Sequence, residues 1–187
     1  PGTYTATASK FGYLRASAVV VVAGGGVTIQ DFALTPLPVM AASGSSLVAE
    51  GFSPSNGAID PAETVTVNFT LKNIGPGDTI NLMATLLPTG GVTNPDGPTT
   101  YGVVVGSGGT GTQPFTFTAD PSLSCGGQLI ATLHLQDGAM DLGNVTYSFN
   151  LGAQTVSLME NFDGVVAPAL PAGWTATVAT GSSGNNW

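Results

Sequence analysis

Few residues of this chain have side chains suited to catalysis. The single histidine is an example, because it has no sequence motif beside it that would make it part of a catalytic site. His134 lies in the run Ala131-Thr132-Leu133-His134-Leu135-Gln136, where it alternates with leucines. One histidine cannot form a histidine cluster, and no Gly-x-Ser-x-Gly turn supplies a serine nucleophile. Because alternation with leucine is typical of a β-strand, we interpret His134 as a residue of a sheet surface or an interface.

The eleven acidic residues are scattered along the chain and fall mostly in turns. A glycosidase needs two carboxyl groups about 5–10 Å apart in a cleft, and the sequence gives no reason to choose a pair. Asp96-Gly97 and Asp137-Gly138 are better explained as turn residues. The sequence therefore predicts a protein that is not an enzyme, with no catalytic residue and no cofactor.

Oxygen-bearing side chains recur at short spacing between Asn56 and Glu63, as they do in calcium-binding loops. Gly57 and Ala58 stand where such a loop needs further ligands. A turn closed by Asp60-Pro61 is the favoured interpretation. We assign no metal ligand here, and calcium binding remains the alternative.

Cys125 is the only cysteine, which excludes an internal disulfide and a cysteine-based zinc site. We interpret it as a small buried hydrophobic residue, with an intermolecular disulfide or a reactive thiol as the alternatives. Asn68-Phe69-Thr70 and Asn144-Val145-Thr146 match the glycosylation pattern. Glycans on Asn, Ser or Thr are therefore an open alternative.

Charge and composition exclude several classes of partner. Only 7% of the 187 residues are charged, against about 25% in ordinary soluble domains. The net charge of −8 argues against a nucleic-acid partner and against attraction to an anionic membrane surface. The longest apolar run, Ala16 to Ala23, is too short to span a bilayer, so we expect no membrane insertion. The many small residues are typical of a secreted β-protein, and we expect any export signal to lie upstream.

Hydrophobic periodicity predicts strands and no helices, because apolar residues nowhere recur at helical spacing over eleven residues. Thr and Val are abundant, and Gly and Pro punctuate the chain at intervals typical of a β-sandwich. The sequence predicts an all-β fold: a central immunoglobulin-like sandwich with incomplete β-elements at both ends. The predicted strands of the sandwich are Ser46–Phe52, Thr64–Asn73, Ile80–Leu87, Thr93–Thr99, Tyr101–Val105, Gln113–Thr118, Gln128–Gln136 and Val145–Leu151.

Four segments follow from this pattern. Residues 1–38 hold predicted strands at 3–9, 15–23 and 27–34; residues 39–46, rich in Ala and Ser, are predicted as a linker. Residues 47–152 form the predicted sandwich. Residues 153–187 are predicted as initial strands, at Gln154–Glu160 and Trp174–Ala179, of a further domain. Strand patterns at both termini lead us to expect that the chain holds only parts of its outer domains.

All three β-segments resemble domains of large secreted bacterial proteins. Pro1-Gly2-Thr3-Tyr4-Thr5-Ala6-Thr7-Ala8, Phe11-Gly12-Tyr13 and Val27-Thr28-Ile29-Gln30-Asp31-Phe32-Ala33-Leu34 resemble the end of a carboxypeptidase regulatory-like domain, which is a prealbumin-like sandwich. Asn56-Gly57-Ala58-Ile59-Asp60-Pro61-Ala62-Glu63-Thr64-Val65 and Leu71-Lys72-Asn73-Ile74-Gly75 resemble an immunoglobulin-like repeat of secreted peptidases and adhesins. Glu160-Asn161-Phe162-Asp163-Gly164 and Leu170-Pro171-Ala172-Gly173-Trp174 resemble the start of a cleaved-adhesin or MAM-like jelly roll.

The resemblance implies an extracellular or cell-surface context and a mechanical or adhesive role without catalysis. Our first hypothesis is a structural subunit of a surface filament, a head-to-tail homopolymer whose copies join by strand complementation, with residues 153–187 donated to a neighbour. The alternative is a spacer or binding module of a larger secreted peptidase or adhesin. We expect Val19–Val22 and Val103–Val105 to carry the interfaces, with Trp174 and Trp187 as anchors.

Overall fold

A computed structural model describes residues 1–153, 163–166 and 169–175 of the chain. The chain divides into two units, Pro1–Ala153 and Gln154–Trp187, and the strands formed by the described residues lie in the first. No helix occurs among the described residues, so the predicted all-β fold is confirmed. The strands are β1 (Gly2–Ala8), β2 (Ala16–Val22), β3 (Met40–Glu50), β4 (Thr64–Asn73), β5 (Leu82–Leu86), β6 (Val92–Thr93), β7 (Thr99–Gly102), β8 (Thr110–Ala119), β9 (Gln128–Asp137) and β10 (Met140–Asn150).

Eight of these strands form two four-stranded antiparallel sheets, ordered β3-β4-β8-β6 and β10-β9-β5-β7. The first follows the A-B-E-D order of an immunoglobulin-like sandwich, and β10-β9-β5 follows its G-F-C order. Strand β7 adds to the free side of β5. The predicted immunoglobulin-like sandwich is therefore confirmed. Strands β1 and β2 form a separate two-stranded sheet.

The core between the two sheets is built by alternation along the strands. In β4, Val65, Val67, Phe69 and Leu71 are almost fully buried, while the intervening threonines lie on the outer face. Fully burying one such side chain contributes about 1.5–3 kcal/mol. The largest buried side chains, which supply most of the core volume, are Phe69, Phe115, Phe117, Leu71, Leu82, Leu86, Leu129, Leu133, Leu135 and Leu151.

Two tyrosines connect the core to the backbone of β4. The Tyr101 hydroxyl donates a hydrogen bond to the Phe69 carbonyl at 2.9 Å, and the Tyr147 hydroxyl donates to the Thr70 carbonyl at 2.8 Å. Burial raises the pKa of Tyr147 to about 12. Burial, and then the nearby Tyr147, raise the pKa of Tyr101 still further. Both phenols are therefore held in the neutral form by the fold.

The raised tyrosine pKa values predict a loss of stability in strong alkali. The unfolded chain, with a tyrosine pKa near 10, releases these protons before the folded chain does, so stability is complete below about pH 10 and falls towards about pH 12. Urea unfolding at pH 8, 10 and 11.5 measures the decline. Tyr147→Phe should make the decline in stability with pH smaller. Tyr4→Phe, at an exposed tyrosine, should leave that decline unchanged. An equal decline in the two variants would contradict this explanation.

The predicted linker at 39–46 is wrong, because residues 40–46 form the first half of β3. This strand pairs antiparallel with β4, with Met40 opposite Asn73 at one end and Glu50 opposite Val65 at the other. Its small residues Ala, Ser and Gly lie mostly exposed and so show no apolar alternation. Main-chain bonding to β4 makes this segment a strand, and a sequence pattern based on side chains does not detect it.

The predicted strand at 27–34 is absent from the described structure. Val27 and Ile29 are 92% and 82% exposed, so their apolar character reflects no packing within this unit. The strand predicted at 93–99 is also shorter than expected: β6 contains only two residues before Asn94 adopts a left-handed φ of 46°. The segment Gln154–Glu160 lies outside the described residues, as does most of Trp174–Ala179, of which Trp174 and Thr175 form no strand.

Candidate assembly interface

The hairpin β1–β2 is a regular antiparallel ladder with no protective feature. It has seven residue pairs and no bulge, with Gly2 opposite Val22 at one end and Ala8 opposite Ala16 at the other. No residue of either strand is charged, and among the described residues each strand pairs only with the other. Val19 and Val21 are 70% and 68% exposed. Since an isolated two-stranded hairpin is marginally stable in water, this sheet is suited to gaining further strands.

The outer strands of the sandwich, by contrast, each contain a bulge or are short. Strand β3 has two register shifts, and β10 has one between Asp141 and Gly143. Strand β6 has only two residues, and β7 has four residues and a register shift against β5. Bulges and short strands are the usual devices that block edge-to-edge pairing. Among the described strands, the two of the hairpin are the ones that are seven residues long, uncharged and without any bulge.

The turn of the hairpin is fixed to the sandwich through the segment that precedes β3. The Leu37 N–H donates to the Gly12 carbonyl at 2.7 Å, and the Leu14 N–H donates to the Thr35 carbonyl at 2.8 Å. Leu37 in turn accepts a hydrogen bond from the Gly77 N–H at 3.2 Å. Main-chain bonds thus connect the hairpin turn to the loop that follows β4.

Glycines allow these backbones to approach closely. A Cβ atom on Gly75 would lie 2.5 Å from the Leu37 carbonyl oxygen, and one on Gly77 would lie 2.9 Å from the Leu37 backbone. Gly12 has a left-handed φ of 74°, and a side chain there would clash with the Pro76 ring. The junction is therefore a close main-chain contact.

Asn73, at the end of β4, is fully buried at this junction. Its Oδ1 accepts from the N–H groups of Val39 and Gly75, each at 3.1 Å. Its Nδ2 donates to the carbonyls of Gly77 at 2.7 Å and Val104 at 3.1 Å. One side chain therefore satisfies four backbone groups from three separate segments. In the sequence, Asn73 is noticeable only as part of the Leu71–Gly75 motif, because a single Asn does not reveal its partners.

His134 lies partly exposed on β9, as a sheet-surface residue. Its Nδ1 is 3.0 Å from the Asn144 Oδ1 and 4.0 Å from the Asp141 Oδ1. Among the described residues, no group of three or more His, Cys, Asp and Glu side chains is placed to hold a metal ion. The neighbours of this histidine are thus an amide and a carboxylate on β10.

The loop at 56–63 is closed by Glu63 within it and by Glu50 at the end of β3. Glu63 is 1% exposed, and its two oxygens accept from the N–H groups of Phe52 at 2.9 Å and Asp60 at 3.0 Å. Glu50 accepts from the N–H groups of Asn56 and Gly57. These carboxylates serve backbone donors, which is the arrangement expected of a turn.

The prediction that Cys125 is buried is wrong: this cysteine is exposed. It lies in the turn between β8 and β9, beside Gly126 with its left-handed φ of 82°, where a small side chain has no core to enter. Asn144, in one glycosylation pattern, is exposed, whereas Asn68 is half-buried.

Val103 and Val105 are 62% and 59% exposed, and Val104 between them is buried. The Val104 N–H donates to the Thr79 Oγ1. Trp174 is 43% exposed, and Trp187 lies outside the described residues. Of the segments expected to carry interfaces, Val19–Val22 is the one that lies on an open sheet edge.

No family model and no curated protein matches this chain. Within the part of the chain that the structure describes, no helix is long and apolar enough to cross a membrane.

Proposed function

We propose that this chain is a non-catalytic structural protein of the cell surface whose copies join by β-strand addition to the hairpin β1–β2. The main observation behind this proposal is that the edge strands of the sandwich differ from the two strands of the hairpin. Every outer strand of the sandwich is bulged or short, whereas both strands of the hairpin are regular, uncharged and open. Exposed regular edges recruit strands from other chains.

The charge distribution supports a second copy as the partner. Copies with a net charge of −8 repel one another, so they can meet closely only where acidic groups are absent. Residues 1–38 contain Lys10 and Arg15 against the single acid Asp31, and are therefore the one region with a positive balance. The hairpin offers a neighbouring acidic sandwich an approach without repulsion.

Addition of a strand from one copy to the hairpin of the next is a head-to-tail contact. Such contacts generate an open fibre unless the rotation between copies closes a ring. The resemblance of the chain to segments of secreted bacterial proteins supports an extracellular location for this fibre. Its role is mechanical or adhesive.

A spacer in a larger secreted protein is the second candidate, and the junction favours it. Close main-chain contacts among Gly12, Leu37 and Gly75 hold the hairpin in a fixed position on the sandwich. A spacer between β-domains needs such a stiff connection, in which the hairpin completes the sheet of an adjacent domain. The two candidates differ in whether the partner strand belongs to another copy.

Lysine substitutions on β1 test the filament proposal. Thr3→Lys with Thr5→Lys should abolish assembly, because charged side chains on an edge strand oppose strand addition. Sedimentation velocity and negative-stain electron microscopy of the full chain measure the result. Thr100→Lys with Thr110→Lys, at exposed threonines of the sandwich, is the matched control and should still assemble.

Assembly of the β1 variant at the wild-type level would refute strand addition at the hairpin. A wild-type chain that stays monomeric at concentrations up to about 1 mM would refute the filament and leave the spacer. Loss of assembly in both double variants would show a general effect of added charge, which also contradicts the proposed site.

A further inference from the structure

We infer that residues 27–31 are the strand that each copy donates to the hairpin of the next copy. The inference names the partner strand, and it therefore rests on the proposed function. It follows from three properties of the segment that leads from β2 to Thr35: its unpaired main chain, its exposed apolar side chains and its charge.

The main chain of this segment has no partner within its own chain. Residues 27–34 lie in no strand, and among the described residues no bond between main-chain groups involves any of them. Only the Gln30 side chain reaches this backbone, where its Nε2 donates to the Asp31 carbonyl at 2.8 Å. No residue from 27 to 35 has a positive φ, so none has to leave a left-handed conformation to enter a strand. Nearly all hydrogen-bonding groups of the segment are therefore available to another chain.

The side chains of the segment are typical of a strand and unusual for a loop. Val27, Thr28 and Ile29 are β-branched residues, which favour strands, whereas connecting loops are usually built from Gly, Pro, Asn, Asp and Ser. Val27 and Ile29 are 92% and 82% exposed, and residues two positions apart lie on the same side of a strand. Apolar neighbours across a strand pair stabilise a sheet. Addition to a sheet would therefore give both side chains the contacts that they lack in one copy.

The charges of the segment and of the hairpin are complementary. Residues 1–25 contain Lys10 and Arg15 and no acid, whereas residues 26–34 contain Asp31 and no base. An acidic strand is repelled by the rest of a chain whose net charge is −8. The hairpin of a second copy is therefore the sheet that this segment can approach most easily.

Each copy thus contains both parts of a junction, an open hairpin and an unpaired segment. The segment is fixed to its own copy at Pro36, which forms an antiparallel bridge with Tyr13. A strand that is held by one copy and paired with the hairpin of the next connects the two copies. Because the same contact can repeat at every copy, it generates the open head-to-tail fibre.

Thr28→Pro with Ile29→Pro tests the main-chain pairing. Successive N–H groups of a strand point to opposite sides, so the two prolines remove a donor from whichever side faces the partner. Neither N–H donates to another main-chain group within the chain, so the urea midpoint of the monomer should stay at the wild-type value. We expect this variant to reduce assembly at least tenfold in sedimentation velocity.

Val27→Ser with Ile29→Ser tests the side chains and has a matched control. Val103 and Val105 are also exposed and two positions apart, so Val103→Ser with Val105→Ser removes a similar apolar pair elsewhere. The first variant should weaken assembly at least tenfold, and the control should assemble as the wild type does. Equal losses in the two variants would overturn the assignment of this segment.

Mixing two variants separates the donor from the acceptor. The proline variant keeps its hairpin, and Thr3→Lys with Thr5→Lys keeps its segment 27–31. Neither should assemble alone, but an equimolar mixture should form pairs of one copy each and nothing longer. A mixture that stays monomeric would contradict the assigned donor.

The assay also distinguishes failure of this inference from failure of the proposed function. A proline variant that assembles as well as the wild type would show that another segment is donated, while strand addition at the hairpin stands. A wild-type chain that stays monomeric would refute both. In wild-type assemblies the amides of residues 27–31 should exchange at least tenfold more slowly than in the dilute monomer, and equal rates would overturn the inference.

Discussion

Replacing Asn73 with alanine should destabilise the protein by about 3–4 kcal/mol. The substitution leaves the N–H groups of Val39 and Gly75 and the carbonyls of Gly77 and Val104 without their partner. A buried polar group left unpaired costs about 1–3 kcal/mol, and partial entry of water lowers the total. Urea unfolding, followed by far-ultraviolet circular dichroism, gives the free energy of unfolding.

Asn68→Ala is the matched control, because Asn68 lies on the outer face of the same strand and should cost below about 1 kcal/mol. Amide exchange should also become faster at Val39 and Gly75 in the Asn73 variant, since both amides lose their acceptor. A loss no larger than that of the control would show that the four hydrogen bonds are dispensable. The interface between the hairpin turn and the sandwich would then need another explanation.

Phe69→Ala should have the second large effect, a loss of about 3–5 kcal/mol. The ring of Phe69 is fully buried and contacts Phe115, Tyr147 and Phe149, with ring centroids 5.7, 4.7 and 6.0 Å away. Removing it leaves a cavity between the two sheets and breaks three aromatic contacts. Because most domains are stable by only about 5–15 kcal/mol, the variant should unfold at a much lower urea concentration.

The same substitution at an exposed ring isolates the contribution of the core. Phe11 is 67% exposed at the hairpin turn, and Phe11→Ala should change the free energy of unfolding by less than about 1 kcal/mol. Similar losses at the two positions would contradict the assigned core. Near-ultraviolet circular dichroism should also lose aromatic signal in the Phe69 variant, since the cluster it anchors is rigid.

The sequence predicted the strands of the core well, because burial on one side imposes a period of two. Strand β4 was predicted with its exact limits from the alternation of Val65, Val67, Phe69 and Leu71. Strand β3 was half missed, since its small exposed residues carry no such pattern. Where main-chain pairing defines a strand, side chains give little information about it.

The sequence singled out the apolar run Val19–Val22, which the structure places in strand β2; its role in an interface stays a prediction. The protected edges of the sandwich could not be predicted, since bulges such as that between Asp141 and Gly143 depend on the register with a neighbouring strand. The exposure of Cys125 was missed for a related reason: its turn lies outside the core, and composition alone does not reveal that. The hydrogen bonds of Asn73 join segments far apart in the chain and leave no local signal.

The close junction between hairpin and sandwich determines how a pulling force would pass through the protein. Strand β3 begins at Met40, immediately after the residues that bond to the hairpin turn. A force that draws the hairpin away from the sandwich therefore passes through these main-chain bonds to the start of β3, which is paired with β4. The glycine contacts thus direct tension into the paired strands β3 and β4 of the sandwich.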